Sequence, residues 1–491
     1  MRGEPAVVLR SRRLSSRLPV ARILLVKPRF MGPEFRSITH PMGLMYVAAT
    51  LRQAGHEPRI IDCAADPYDF DGPARIAADW RPDCIGLSII VSELEQASGI
   101  IGSIRARSPE IPIVLGGPWP SANPADALIM LQADFVVAGE GELTFPLLVD
   151  AIERRQNPFV TAKSIPGVAA RIGDSVQGPS PAPLPDLDRL PLPAWDLLDH
   201  ELYARTLSMA GVGCRPYMTV VTSRGCPFRC AYCHQTQGKQ FRRRTAQSVV
   251  DELVTLNRDH GFSEFEIVDD CFNLDRERMH AILNGIIDAI PDARLHFPNG
   301  VRADHLDGRD IRLLRQAGTV SACFAIETAS PDLQKVIRKN LDIDKALDAI
   351  HAAVAEGIYS TGFFMLGLPG ETGSQAMATV EFAARSPLHR AIFMLTTPFA
   401  GTELADMAAR ITGTPITLNA VRGLNYFTSS INISAMTDDE LNSIFRSAYR
   451  RFYLNPRRIL RVISQHPRKQ SLPRYALIMI EKIIPGRKRT R

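Results

Sequence analysis

The sequence predicts an α/β protein built as two successive parallel sheets, followed by a helical, basic C-terminal region. Three observations carry that reading. Short β-branched runs alternate with helix-length segments from Arg22 to about residue 155, the alternation resumes at Tyr217, and a proline-rich stretch separates the two series. At 491 residues the chain also exceeds what one hydrophobic core usually serves.

In the first series the predicted strands are ILLV (23–26), RIID (59–62), CIGLSI (84–89), IPIVLGG (111–117) and DFVVAG (134–139). Between the first two, Leu44, Val47, Ala48 and Leu51 recur at helical spacing, with Pro41 before them and Gly55 after. Such alternation makes a doubly wound parallel sheet, whose ligand crevice lies beyond the carboxyl ends of its strands. Ligand-contacting residues are therefore expected just after each strand. The first domain is placed at 22–160.

Between residues 179 and 193 six prolines fall in fifteen positions, a density that excludes helix and favours an extended connector. The connector is placed at 161–212. The second series runs YMTVVT (217–222), EFEIVDD (264–270), RLHFPNG (294–300), SACFAIET (321–328), STGFFMLGLPG (360–370) and AIFMLTTPF (391–399). Six strands with intervening helices predict a partial (β/α)6 barrel over 213–410, with its site at the carboxyl ends. From 411 to 491 the pattern turns helical and then basic.

Composition narrows the function classes. The longest apolar runs fall far short of the roughly 20 residues a membrane span needs, and the Arg-rich first 22 residues lack the apolar core of a secretory signal. Three of the eight cysteines crowd together, which points to a metal site in a reducing, cytoplasmic compartment rather than to disulfides. From Arg450 onward, 13 Arg or Lys face Glu481 alone, while the body between the two basic ends is net acidic. That body argues against a nucleic-acid partner. The tail, where Leu460, Val462, Ile463, Ile478, Met479, Ile480, Ile483 and Ile484 stand among the cations, suits peripheral contact with anionic lipid. A packed basic terminal helix is the alternative.

The segment VTSRGCPFRCAYC places Cys226, Cys230 and Cys233 at C-x3-C-x2-C spacing directly after a predicted strand. Three thiolates on one loop can hold three irons of a [4Fe–4S] cluster and leave the fourth iron open to an external ligand. A structural zinc would need a fourth protein ligand, and no partner cysteine pair stands at suitable spacing. Cys63, Cys84, Cys214, Cys271 and Cys323 read as buried structural thiols, with Cys271 the one that can face the site.

With Tyr232, this loop resembles the cluster loop of radical S-adenosylmethionine enzymes. The resemblance implies that the open iron chelates S-adenosylmethionine and that reductive cleavage yields a 5′-deoxyadenosyl radical. It also implies roles at successive strand ends: Asp269 and Asp270 for the methionine ammonium, Arg302 for its carboxylate, and Glu327 for the ribose hydroxyls. Gly367 and Gly370, in MLGLPGET, would let the backbone approach the adenine. A one-electron reductant such as flavodoxin or ferredoxin is the implied partner.

The first domain resembles the flavodoxin-like cobalamin-binding domain fused to many such enzymes, through SITHPMGLMYVAATLRQAGH, GLSII, GGPWPSANP and VVAGEGELTF. The implied cobalamin contacts are Ser88, Gly116, Gly117, Gly139, Glu140 and Gly141. No histidine lies in the D-x-H-x-x-G pattern that ligates cobalt from below, so no protein nitrogen is expected there. His40, the nearby candidate, reads as a hydrogen-bonding residue.

Together the resemblances imply a methyltransferase acting on an unactivated carbon of a small-molecule or lipid-like intermediate. The runner-up is a cyclase or rearrangement enzyme that keeps both cofactors. A methylthiotransferase is disfavoured, because the first domain lacks an extra cysteine cluster and no β-rich RNA-binding domain follows the barrel. The three cysteines and Glu327 speak against a non-catalytic cobalamin sensor.

Overall fold

The structure, a computed structural model, describes residues 20–30, 37–173, 175–234, 237–416, 431–473 and 475–477. In chain order the first strands are β1 (Arg22–Lys27), β2 (Ser37–Ile38), β3 (Glu57–Asp62), β4 (Cys84–Ser88), β5 (Ile113–Gly116), β6 (Phe135–Val137), β7 (Val168–Ile172), β8 (Ser175–Gln177) and β9 (Leu207–Ser208). Seven of them form one sheet in the order β3-β1-β4-β5-β6-β7-β8. The first five are parallel, as the alternation predicts.

The last two run antiparallel, β7 on β6 and β8 on β7. They lie within residues 161–212, which the sequence reading assigns to a connector, so that segment is only partly extended linker. Val168, Ala169 and Ala170 are fully buried against the sheet. Gly173 turns the chain between the strands. A short two-strand addition of this kind leaves no periodic signal beside six prolines.

The second sheet contains β10 (Met218–Val220), β13 (Glu264–Ile267), β14 (Arg294–Val301), β15 (Thr319–Glu327), β16 (Tyr359–Leu366) and β17 (Arg390–Leu395), in that order and all parallel. Between its first two members a small antiparallel pair, β11 (Ser223–Arg224) with β12 (Arg242–Arg243), frames the cysteine loop. Strands buried on both faces need apolar side chains throughout. Phe265, Phe297, Phe324, Phe364 and Phe393, one from each of β13 to β17, are all fully buried.

The barrel helices begin where polar caps dictate. Thr245, Asp275, Asp307, Asp342 and Thr372 each accept a first-turn N–H, a contact worth about 1 kcal/mol per helix. At the amino-terminal end of the barrel, buried Arg215 donates to Glu264 and, at 2.6 Å, to Glu266. His296 lies 3.1 Å from Glu264, and Arg468 of the C-terminal region reaches the same carboxylate.

Beyond the barrel, helices Asp438–Tyr453 and Pro456–Gln465 pack against it. Tyr449 and Tyr453 donate to the Phe393 and Ala391 carbonyls of β17. The apolar tail positions Ile478, Met479, Ile480, Ile483 and Ile484 and the first 19 residues lie outside the described residues. Among the described residues no helix is long and apolar enough to cross a membrane.

Candidate functional site

The order of the first sheet reverses between β1 and β4, and a crevice is expected at that switch point. A cavity open to solvent lies there, and Ser88, Gly116, Gly117, Gly139, Glu140 and Gly141 all line it. Tyr46 and Phe145 add aromatic walls, and Val221, Arg224 and Gln237 close it from the barrel side. The cavity is therefore shared by the two domains. Gly117 has φ +89°, and a Cβ there would lie 2.8 Å from the Ile89 nitrogen, so only glycine permits the turn.

Among the described residues no histidine lines this cavity. His40 is buried beside it, with Nδ1 2.9 Å from the Thr219 hydroxyl and its ring stacked 4.1 Å from that of Tyr203. Burial lowers its pKa to about 3, so the ring is neutral at pH 7.

Glu140 departs from its implied role, since its carboxylate is already held by cations. Arg224 donates to Glu140 at 2.7 Å and to Glu142 at 2.7 Å, and Arg242 also reaches Glu140. The Arg224 guanidinium lies 4.9 Å from the centroid of the Tyr46 ring. This ion cluster joins the loop after β6 to the strand that leads into the cysteines. Sequence patterns give no sign of it, because its members come from loops 82 and more residues apart. The nearest signal is the doublet of acids in GEGE opposite the Arg of SRGC.

Gly225 opens the cysteine loop with φ +82°, where a Cβ would meet the Gln240 carbonyl oxygen at 2.3 Å. Cys226 and Cys230 are half-buried and Cys233 is exposed at the loop's end. Partial burial, and then the neighbouring Cys230, push the Cys233 thiol up to about 11, with Cys226 also contributing. The loop is anchored by Ala231 N–H to Ile337 O at 2.9 Å, Leu404 N–H to Ala231 O at 2.8 Å, and Lys239 to Phe228 O. Cys230 and Cys233 line a second cavity with Arg229, Lys239 and Arg338.

At the strand ends the implied cosubstrate residues separate into two kinds. Asp269 is buried and well satisfied: it accepts the Thr222 N–H at 2.6 Å and the hydroxyls of Thr222 and Ser223. Those bonds shape the approach to the cysteine loop. Asp270 is exposed beside the Gly225 N–H and Lys239, where a cationic ligand can meet it.

Arg302 likewise differs from its implied part. Its guanidinium donates to Asp304 at 3.0 Å and to the Lys339 and Asn340 carbonyls, and stacks 4.0 Å from the Phe228 ring in the cysteine loop. The residue braces two loops, and those contacts leave it poorly placed to seize a carboxylate. Its buried, half-apolar surroundings give no sequence signal.

Glu327 ends β15 in a left-handed conformation, φ +67°, at a register shift in the β15·β16 ladder. Such a backbone is strained for glutamate and turns the side chain out of the strand's alternation. Oε1 accepts from Tyr232 at 3.0 Å and from Lys339 at 3.0 Å. Lys339, buried and absent from the sequence reading, thus supplies the counter-charge. Gly367 and Gly370 both have positive φ. The Gly367 N–H donates to Glu371 at 2.6 Å, and burial raises that carboxyl to about 7. Cys271 is buried near Cys226 and Arg302, Cys63, Cys84 and Cys323 are buried, and Cys214 is half-buried.

The donor chemistry fits a cluster: three sulfurs on one braced loop, with cations from Arg229, Lys239 and Arg338 to offset negative charge. Among the described residues no three His, Cys, Asp or Glu side chains close into a preformed metal cage. Thiols at raised pKa become good ligands only when a metal replaces their protons, so binding and loop closure are coupled. The first cavity, large, glycine-lined and partly aromatic, fits a broad flat cofactor.

Comparison with known proteins places most of the chain. The family described as B12 binding domain matches residues 28–149, and the radical SAM superfamily matches residues 220–383. An uncharacterized methyltransferase of Pyrococcus horikoshii is 30% identical over 458 residues, covering 91% of this chain and 96% of that protein. The anaerobic magnesium-protoporphyrin IX monomethyl ester cyclase of Rubrivivax gelatinosus is 25% identical, covering 88% of this chain and 78% of that protein. In fold the chain is similar to TsrM of Kitasatospora setae, a radical S-adenosylmethionine methyltransferase solved with cobalamin and a [4Fe–4S] cluster bound. The TM-score is 0.65 at 20% identity, covering 80% of this chain and 76% of that one. The chain belongs to the cobalamin-dependent radical S-adenosylmethionine enzymes, in which a B12-binding domain precedes a radical SAM barrel.

Proposed function

We propose that this enzyme methylates an unactivated carbon of a small-molecule or lipid-like substrate, with Cys226, Cys230 and Cys233 holding the cluster and the interdomain cavity holding cobalamin. One observation carries the reading: Arg224, two residues before Cys226, is also a wall of the B12-domain cavity. The two cofactor sites are therefore neighbours in space as well as in sequence. When bound, the cluster supplies the electron that breaks the sulfonium C–S bond and cobalamin supplies the methyl group.

The chain's own residues hold and orient. Asp270 offers a carboxylate to an ammonium group, and Glu327, with Oε1 occupied by Tyr232 and Lys339, keeps Oε2 for a diol. Asp269 and Arg302 fix the cysteine loop from either side. A one-electron reductant such as flavodoxin or ferredoxin completes the system, and the basic C-terminal region supports contact with an anionic membrane.

The similarity to the cyclase favours a second reading, ring formation with the same cofactors. The methyltransferase relative is more identical and matches over more of its own length, which ranks methyl transfer first. The test is anaerobic reconstitution. The protein should take up four irons and sulfides and release 5′-deoxyadenosine from S-adenosylmethionine. Replacing all three cysteines with Ala should abolish both; retention of either would defeat the assignment.

A further inference from the structure

Helix Pro456–Gln465 is docked the wrong way round for a globular protein. Its inward face is polar. Arg458, 3% exposed, donates to the Ala383, Ala384 and Ser386 carbonyls and stacks 3.4 Å from the Phe452 ring. Arg461 donates to the Pro387 carbonyl at 2.7 Å, and Gln465 meets His389. These contacts cap the carboxyl-terminal carbonyls of helix Gly373–Arg385, a placement that favours cations. The helix is thus fixed by its arginines and by Val462, its one buried aliphatic, while the other three are left outside: Ile459 is 42% exposed, Leu460 68% and Ile463 51%.

At 100° per residue these three share one stripe. Isolated exposed aliphatics need no explanation, but a stripe held outward by buried arginines does. Charge names its occupant. Arg450, Arg457 and Lys469 are exposed around the stripe, in a region where 13 Arg or Lys face one Glu. Apolar side chains ringed by cations complement a bilayer surface with anionic headgroups, and a helix in that orientation lies in the interface plane.

We propose that the Ile459–Leu460–Ile463 face of helix Pro456–Gln465 is the surface by which the enzyme seats on an anionic lipid bilayer. This deepens the membrane contact proposed above and rests on it. The barrel then faces the bilayer through the carboxyl end of helix Gly373–Arg385 and the loop that follows it, to which the seat is bolted.

Flotation of the full chain tests it, with vesicles of phosphatidylcholine alone and of phosphatidylcholine mixed equally with phosphatidylglycerol. Wild type should float only with the anionic vesicles and less at high salt. The Leu460→Glu/Ile463→Glu double variant, altered only on exposed positions, should keep the wild-type melting temperature and lose about tenfold or more of its partitioning. A chain truncated after residue 477 should still float. If wild type does not float, the membrane contact itself is wrong. If wild type floats and the double variant floats equally, or if only the truncation abolishes binding, contact occurs through the terminal segment and this face is not the seat. A wild-type dimer that the double variant dissociates would assign the face to a second copy instead and overturn the proposal.

Discussion

Arg224 lies 2.7 Å from both Glu140 and Glu142, so one guanidinium in the strand leading to the cluster loop grips two carboxylates of the B12-binding domain. All three side chains are largely buried. The interdomain cavity owes its shape to this joint, because Arg224, Glu140 and Glu142 are three of its walls. Removing the cation leaves a buried carboxylate at Glu142 with no other ion-pair partner among the described residues, while Glu140 keeps Arg242.

Arg224→Met should therefore destabilise the protein by about 3–5 kcal/mol, the usual cost of orphaning a buried charge. Denaturant unfolding measures it. Glu142→Gln, which keeps a hydrogen-bonding group opposite Arg224, should cost less. Equal and negligible effects from both would mean that the joint contributes nothing to docking.

Asp269 and Asp270 are adjacent but should respond oppositely to substitution. Asp269→Ala loses three hydrogen bonds to Thr222 and Ser223, each about 1 kcal/mol or more for a charged acceptor, and should lower the melting temperature and the iron retained on reconstitution. Asp270→Ala should leave melting unchanged and weaken S-adenosylmethionine binding in equilibrium dialysis. A reversed pattern would exchange their roles.

Three buried histidines should each cost stability as pH drops below about 6.5, opposed between 7 and 4.5 by Glu371, whose burial raises it to about 7. His40, His296 and His389 are buried, and burial lowers their pKa values to about 3, 4 and 4 from the ordinary 6.5. Between 6.5 and 4 the unfolded chain then binds protons that the folded chain refuses, so each histidine removes up to about 1.4 kcal/mol per pH unit. Glu264 acts in the same direction lower down. Its burial is outweighed by His296 and Arg215, which hold it at about 2, so its stabilisation is present above 4.5 and lost as pH falls towards 2. Melting curves from pH 8 to 4 read the balance, and His296→Gln should lose less stability than wild type between pH 6.5 and 4.

His40→Ala should leave the spectrum of bound cobalamin unchanged, since Nδ1 is engaged by Thr219 and the ring does not line the cavity. Nitrogen hyperfine structure from a protein imidazole in the Cob(II) state would contradict this placement.

Much of the fold is legible in the sequence because parallel strands buried on both faces are continuous apolar runs. The runs predicted to end at Ile89, Gly117 and Thr328 become strands that end one residue earlier, at Ser88, Gly116 and Glu327. The six residues implied for cobalamin converge on one cavity for the same reason: strand ends of a parallel sheet share one edge. What escapes the sequence is the use of charge between distant loops. Glu140 and Arg302 are polar residues at the correct strand ends, yet Arg224 and Asp304 already hold them. Lys339 lies past the end of helix Pro331–Val336 and reveals itself only through its contact with Glu327. Strands β7 and β8 were hidden by the prolines that follow them.

The central claim is methyl transfer driven by a radical, and product stoichiometry tests it most directly. With its true substrate, a reductant and methyl-labelled S-adenosylmethionine, the enzyme should release 5′-deoxyadenosine and S-adenosylhomocysteine in equal amounts. The labelled methyl group should appear intact in the product. Release of 5′-deoxyadenosine without S-adenosylhomocysteine, with a product no heavier by a methylene, would contradict the methyltransferase reading and establish ring formation or rearrangement in its place.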